Sequence, residues 1–228
     1  VTESGLTDRV QFHHASFLDL PRVIAESGRK ADGLLADLGV SRYQLTTGER
    51  GFSILAEGPL DMRMDTTQEL TAADVVNYSS EAELMDIITR LGEQKKGVRK
   101  IVKALLEARP FKTTGELART VETVVPRTGK LHPATLVFQG LRRKVNAEEE
   151  QLAGLLASLP ELMAPNARVV FLTYMSLEDR PVKYAFRQYH QEDRALVLTK
   201  HVIRPTREEE RSNRLARSAK LRALAWQQ

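Results

Sequence analysis

Residues 31–65 read ADGLLADLGVSRYQLTTGERGFSILAEGPLDMRMD. The stretch opens on a short apolar run, residues 33–36, and closes that run on Asp37. A run this short, ended by an acid and followed closely by Gly39, predicts a buried parallel strand rather than a helix. In open α/β sheets, ligands sit beyond the carboxyl ends of such strands. Asp37, Gly39, Ser41 and Gln44 therefore fall where chemistry is expected. The second half adds Glu49, Arg50, Asp61, Arg63 and Asp65 within one long polar loop. A loop of that length directly after a buried strand is expected to carry function.

Composition bounds the rest. The 228 residues are 42% hydrophobic and 28% charged, enough for one large domain or two small ones. No apolar run approaches a membrane span, so no membrane partner is expected. The absence of cysteine excludes disulfides and thiolate metal sites and is compatible with the cytoplasm. A net charge of +4 and a pI near 9.4 permit a nucleic-acid partner without requiring one. There are no internal repeats and no low-complexity segments.

Outward from the opening stretch, residues 9–17 (RVQFHHASF) read as a strand leading into a loop. His13 and His14 are adjacent, so in a strand they face opposite ways and cannot grip one ion. No metal site is expected. Residues 18–27 read as a short helix. Residues 70–125 read as several short helices, with apolar stripes at Leu84, Ile87, Ile88 and Leu91, then Val98, Ile101, Val102 and Leu105, then Leu117, Val121 and Val124. Thr71, Ser80 and Thr114 are the expected N-caps, the last with Glu116 in the first turn. Lys96, Arg99, Lys100 and Lys103 are expected on one helical face. That face reads either as a solvated surface or as a phosphate-contacting ridge. Residues 132–159 read as one long helix ended by Pro160, with Pro133 in its first turn. Residues 168–174 (RVVFLTY) are the clearest remaining strand. Ser176, Glu178 and Asp179 follow at its carboxyl end, where Ser176 is the expected cap of the next helix. Residues 195–202 read as another strand, and the tail as either a helix or a final extended strand.

Several of these segments carry a family resemblance. DLGVS at 37–41 with Gln44, RGFS at 50–53, PLDMRMD at 59–65, HPAT at 132–135, VFQ at 137–139, SLEDR at 176–180 and ARSAKLR at 216–222 stand in one order. That pattern resembles the MraW family of ribosomal-RNA cytosine-N4 methyltransferases, which use S-adenosylmethionine. The resemblance covers nearly the whole chain. It implies an α/β fold: a Rossmann-like class I methyltransferase sheet, incomplete at its N-terminal part, with an inserted all-helical subdomain. The implied domains are a first part of the core at 1–65, the helical insert at 66–130, and the second part of the core at 131–228. Phe17, Asp37 and Gln44 match the family's cofactor contacts, Phe17 as an aromatic beside the adenine. Asp37, with Ser176 and Glu178, is a catalytic candidate, Asp37 by orienting the target amine. Asp61, Arg63, Asp65, His132, Lys96, Arg99 and Lys100 are pocket or RNA-contacting candidates. For Asp61, Arg63 and Asp65 a salt-bridged loop is the competing reading. The implied partner is small-subunit ribosomal RNA, with a homodimer left open.

The match also departs from the family. No segment matches the family's glycine-rich Gly-Gly-His turn or the acid that binds the cofactor's ribose. The pattern is entered at about the third strand, so a truncated start is expected, with the strand at 33–36 left with an open edge. The family's Phe-His-Ser-Leu-Glu-Asp becomes YMSLED, with Met175 in place of a His that can exchange protons. Arg42, Leu136 and the sequence PNAR at 165–168 are further departures. Two readings follow: an RNA cytosine-N4 methyltransferase, or a non-catalytic relative that binds RNA or dimerises. An unrelated α/β oxidoreductase is set aside, because no Gly-x-Gly-x-x-Gly turn exists here.

Overall fold

The computed structural model describes residues 5–127 and 131–227. Residues 1–4, 128–130 and 228, which the expected domain bounds include, lie outside the described residues. The chain forms two compact units, one of Val1–Leu38 with Glu149–Gln228 and one of Gly39–Glu148.

The first unit is a mixed sheet with helices. Its strands are β1 (Ala31–Asp37), β2 (Met163–Thr173), β3 (Ala195–Val197) and β4 (Lys220–Trp226). They lie in the order β1-β2-β4-β3, with β1 parallel to β2 and the other pairs antiparallel. The helices are α1 (Leu20–Glu26), α8 (Glu148–Leu162, all but its first residue in this unit), α9 (Ser176–Gln191) and α10 (Arg207–Ser212). Leu152, Leu155, Leu156 and Leu159 recur along α8 at helical spacing and are buried with Val169, Phe171, Leu224 and Trp226 of the sheet. Phe186 of α9 meets Phe171 edge-on at 5.8 Å, and Tyr189 meets Trp226 at 5.2 Å. The Arg194 guanidinium covers both Tyr189 and Trp226 at 5.6 and 5.5 Å. Asp179 of α9 forms a two-pronged pair with Arg222 of β4, at 2.7 and 3.0 Å.

The second unit contains α2 (Arg42–Thr46), α3 (Ala72–Tyr78), α4 (Glu81–Asp86), a π-helical turn (Ile87–Leu91), α5 (Val98–Ala108), α6 (Thr114–Val124) and α7 (Thr135–Val145). The apolar stripes meet in one core that includes Val76, Leu84, Ile88, Ile101, Leu105, Leu117, Val121 and Leu141. Thr71 with Asp74, Ser80 with Glu83, and Thr113 with Glu116 form reciprocal capping boxes at three helix starts. Gly92 and Gly140 let the π turn and α7 approach backbone to backbone. A Cβ on Gly92 would collide with the Leu136 carbonyl oxygen, and one on Gly140 would lie 2.7 Å from that of Ile87.

Several local expectations are corrected. Residues 10–16 form no regular element. Among the described residues no strand lies beside them to receive their hydrogen bonds, so apolar alternation alone does not make a strand. The expected long helix at 132–159 is two helices, because Ala147 adopts φ +46° between α7 and α8. Pro160 lies inside α8, which runs on to Leu162 before β2 begins at Met163. The cap of α6 is Thr113, while Thr114 is its buried first residue and receives the Gly58 N–H. Gly97, at φ +71°, starts α5 after Lys96, so Lys96 is not on the helical face formed by Arg99, Lys100 and Lys103. The strand expected at 195–202 ends at Val197. Residues Arg214–Ser218 make a 3₁₀ turn and only then does the chain extend into β4, so the tail divides between both expectations.

Candidate active site

β1 is a strand, as its short apolar run implies, but it is the outer strand of the sheet and not a buried one. Leu35 is 69% exposed, whereas Ala36 and Leu38 are buried. β1 pairs in parallel with β2, setting Asp37 against Leu172, and the Leu38 N–H donates to the Leu172 carbonyl at 3.0 Å. The carboxyl ends of two parallel neighbours therefore lie side by side. Asp37 stands exposed at this lip. Its Oδ1 accepts the Tyr174 hydroxyl at 2.9 Å, and among the described residues no other group donates to it. Burial, then the hydrogen bond to Asp37, pushes the Tyr174 phenol up to about 12. Tyr174 thus remains a proton donor throughout the neutral range.

Tyr174 is held in turn. Its N–H and that of Met175 donate to the buried Glu178 carboxylate at 2.8 and 3.1 Å. Glu178 is thereby committed to the start of α9, as an acid receiving amides there. Ser176 is not the cap: it is the exposed first residue of α9, preceded by Met175. Asp179 is half-buried. Burial alone would raise its pKa, but the Arg222 hydrogen bonds and charge outweigh burial and hold it below the usual carboxylate range.

Phe17 belongs to the same unit as Asp37. It opens a 3₁₀ turn, Phe17–Asp19, fixed by a capping box between Ser16 and Asp19, and its ring stays partly exposed. Gln44 belongs to the other unit. Its Oε1 accepts the Ser41 N–H at 2.8 Å while the Ser41 hydroxyl accepts the Gln44 N–H, which leaves the Gln44 amide nitrogen for another partner.

The other candidates also lie in the helical unit, each tied into local structure. Arg63 clasps Asp61 at 2.7 Å and donates to the carbonyls of Thr66 and Gln68. Asp65 accepts from the Thr67 N–H and hydroxyl. Arg50 donates to the carbonyls of Arg63 and Met64. These bonds tie residues 50–68 to one another. His132 Nδ1 accepts the Ala134 N–H, so its Nε2 carries the proton offered to Glu122 at 2.9 Å. Its ring thus ties the entry of α7 to α6. Arg99, Lys100 and Lys103 are exposed on α5, opposite the buried Val98, Ile101, Val102 and Leu105. Glu81 and Glu107 share the shallow groove that Arg99 and Lys103 line, and Glu107 lies 3.8 Å from Lys103.

The residue that sequence reading passed over is Tyr174. It closes the strand-like run RVVFLTY, and its contact with Asp37 spans 137 residues of chain. A signal was present: the family pattern carries a Phe there, so the hydroxyl is an added polar group at a strand end. Among the described residues no three His, Asp or Glu side chains are grouped to hold a metal, and no helix is long and apolar enough to cross a membrane.

The sequence matches the MraW methylase family over residues 3–227. Similar proteins named ribosomal RNA small subunit methyltransferase H occur in several bacteria. That of Solibacter usitatus is 49% identical over 219 residues, covering 96% of this chain and 76% of the relative. That of Pseudothermotoga lettingae is 42% identical, covering 94% and 74%, and that of Synechococcus elongatus is 43% identical, covering 95% and 71%. The parallel strand pair, its acid at the carboxyl end and a match along almost the entire length agree: this chain belongs to the MraW methylase family.

Proposed function

We propose that this chain acts in the S-adenosylmethionine-dependent N4-methylation of a cytosine in small-subunit ribosomal RNA, in the cytoplasm. The observation that carries the reading is the Asp37 carboxylate, exposed at the end of a parallel strand with one oxygen held by Tyr174. The relatives' names supply the substrate class.

The chemistry needs such a group. The cytosine amine is a poor nucleophile because its lone pair is delocalised into the ring. A carboxylate that accepts an amine hydrogen raises electron density on nitrogen and fixes its direction. Asp37 Oδ2 suits that task, and it offers an acceptor for the proton the amine must lose. S-adenosylmethionine, when bound, supplies the methyl group from a sulfonium. The residues present fit part of that cofactor: the accessible Phe17 ring suits the flat adenine, and the family resemblance assigns Gln44, whose amide nitrogen is uncommitted, to the cofactor as well. The target base must be unstacked to reach the carboxylate. Arg99, Lys100 and Lys103, with Lys96 just ahead of them, are exposed cations suited to RNA phosphates, which position the substrate without selecting the base.

No residues of this chain match the family's glycine-rich turn or ribose-binding acid. The chain of these 228 residues is therefore expected to bind S-adenosylmethionine weakly or not at all in calorimetry. Tight, stoichiometric binding would contradict that partial fit. The function itself is tested by mass mapping of cytosine methylation in small-subunit RNA from cells with and without the gene. One N4-methylcytosine should vanish on deletion. An unchanged methylation map would favour instead the non-catalytic relative that binds RNA or dimerises.

A further inference from the structure

We infer that Tyr174 is the positioning residue for Asp37, fixing which carboxylate oxygen faces the target amine; the inference rests on the role proposed for Asp37. Three observations support it. First, the phenol hydroxyl donates to Oδ1 at 2.9 Å, and among the described residues it is the one donor to that carboxylate, so Oδ2 is left for the substrate. Second, the two residues stand at adjacent carboxyl ends of parallel strands, with β1 register set by the pairing of Asp37 with Leu172. Third, Tyr174 is itself fixed, since its N–H is held by the buried Glu178 carboxylate at 2.8 Å.

A carboxylate on an exposed strand end otherwise rotates freely about its last torsion. One charge-assisted hydrogen bond from a residue whose backbone is anchored restricts that freedom. A donor that acts only on the orientation of Asp37 should, when lost, change the rate of the chemical step and not binding. The MraW pattern carries Phe at this position and His at the next, whereas this chain carries Tyr174 and Met175.

The test is a kinetic cycle in the full-length protein, with small-subunit RNA as substrate. Tyr174→Phe keeps the ring and removes only the hydroxyl. It should lower kcat about tenfold, with KM for RNA and cofactor and the melting temperature unchanged. In an Asp37→Ala background, measured under single-turnover conditions, the same change should cost nothing further. An unaltered kcat in Tyr174→Phe would overturn the inference while leaving the function intact. An equal loss in the Asp37→Ala background would do the same, since the hydroxyl would then act elsewhere. No methylation by the unmodified protein would overturn both.

Discussion

The two compact units close their apolar surfaces in different ways. The helical unit buries its stripes within itself, and four of its helices begin on side chains that satisfy their own first amides. The sheet unit packs α8 and α9 on the sheet, yet its outer strand β1 shows Leu35 to solvent at 69% exposure. One unit is organised around an enclosed core, the other around a sheet with an exposed edge. Local hydrogen bonding and enclosed packing make the helical unit a self-contained scaffold. The sheet unit places its distinctive groups, Asp37 and Tyr174, at a strand end that is open to a ligand.

That contrast can be broken by mutation. The largest expected effect lies in the helical core. Leu105 is fully enclosed, and Leu105→Ala should destabilise its unit by about 3 to 4 kcal/mol. Trp226 is the single tryptophan and is buried in the sheet unit, so its fluorescence reports that unit while ellipticity is dominated by helices. Urea unfolding of Leu105→Ala should shift the ellipticity transition more than the fluorescence transition. Coincident, equal shifts would mean that the units unfold as one.

Asp179→Ala should have the complementary effect. It leaves the buried Arg222 guanidinium without its carboxylate, at a cost of about 3 kcal/mol. Here the Trp226 transition should move first. Gly92→Ala should destabilise the helical unit by about 2 kcal/mol, because the new methyl meets backbone and not a movable side chain. A neutral result would show that the π turn is not held closely against α7.

Acid offers a gentler comparison. In the helical unit, the hydroxyl and amide of Thr71 hold Asp74, the amide and hydroxyl of Ser80 hold Glu83, and the amides of Lys112 and Thr113 hold Glu116, each below its ordinary value; for Asp61, burial would raise the pKa but the Arg63 bonds outweigh it. In the sheet unit, Asp19 and Asp179 are shifted the same way. A depressed carboxylate contributes its full stability above its ordinary pKa and loses it as pH falls through the lower folded value. Stability should therefore hold from neutral pH down to the ordinary values of 4.5 and 3.8 and decline below them, more steeply in the helical unit. Loss of stability above pH 5 would contradict this. The smallest effect belongs to Leu35→Lys, expected within about 0.5 kcal/mol of the parent. A large loss there would mean that β1 is covered in solution.

Legibility from sequence followed the range of the interactions. The strand at Ala31–Asp37 was readable because an apolar run closed by Asp and Gly is a local signal. The helical stripes and the caps Thr71 and Ser80 were readable for the same reason. Thr113 was missed for its neighbour Thr114, although only Thr113 stands three residues before Glu116. Val10 and Phe12 alternate like a strand, but strands need partners, and alternation cannot report a missing one. The turn at Ala147 required a positive φ that no glycine announced. The bond from Tyr174 to Asp37 joins residues far apart in the chain, so no window of sequence contains it.

The proposed chemistry turns on one carboxylate, and its removal is the sharpest test. Asp37 is exposed, so Asp37→Ala should leave melting and ellipticity unchanged. In the full-length protein the variant should lose N4-methylation of small-subunit RNA by about a hundredfold or more. Methylation retained at the parental rate, in a variant that is folded, would contradict the account.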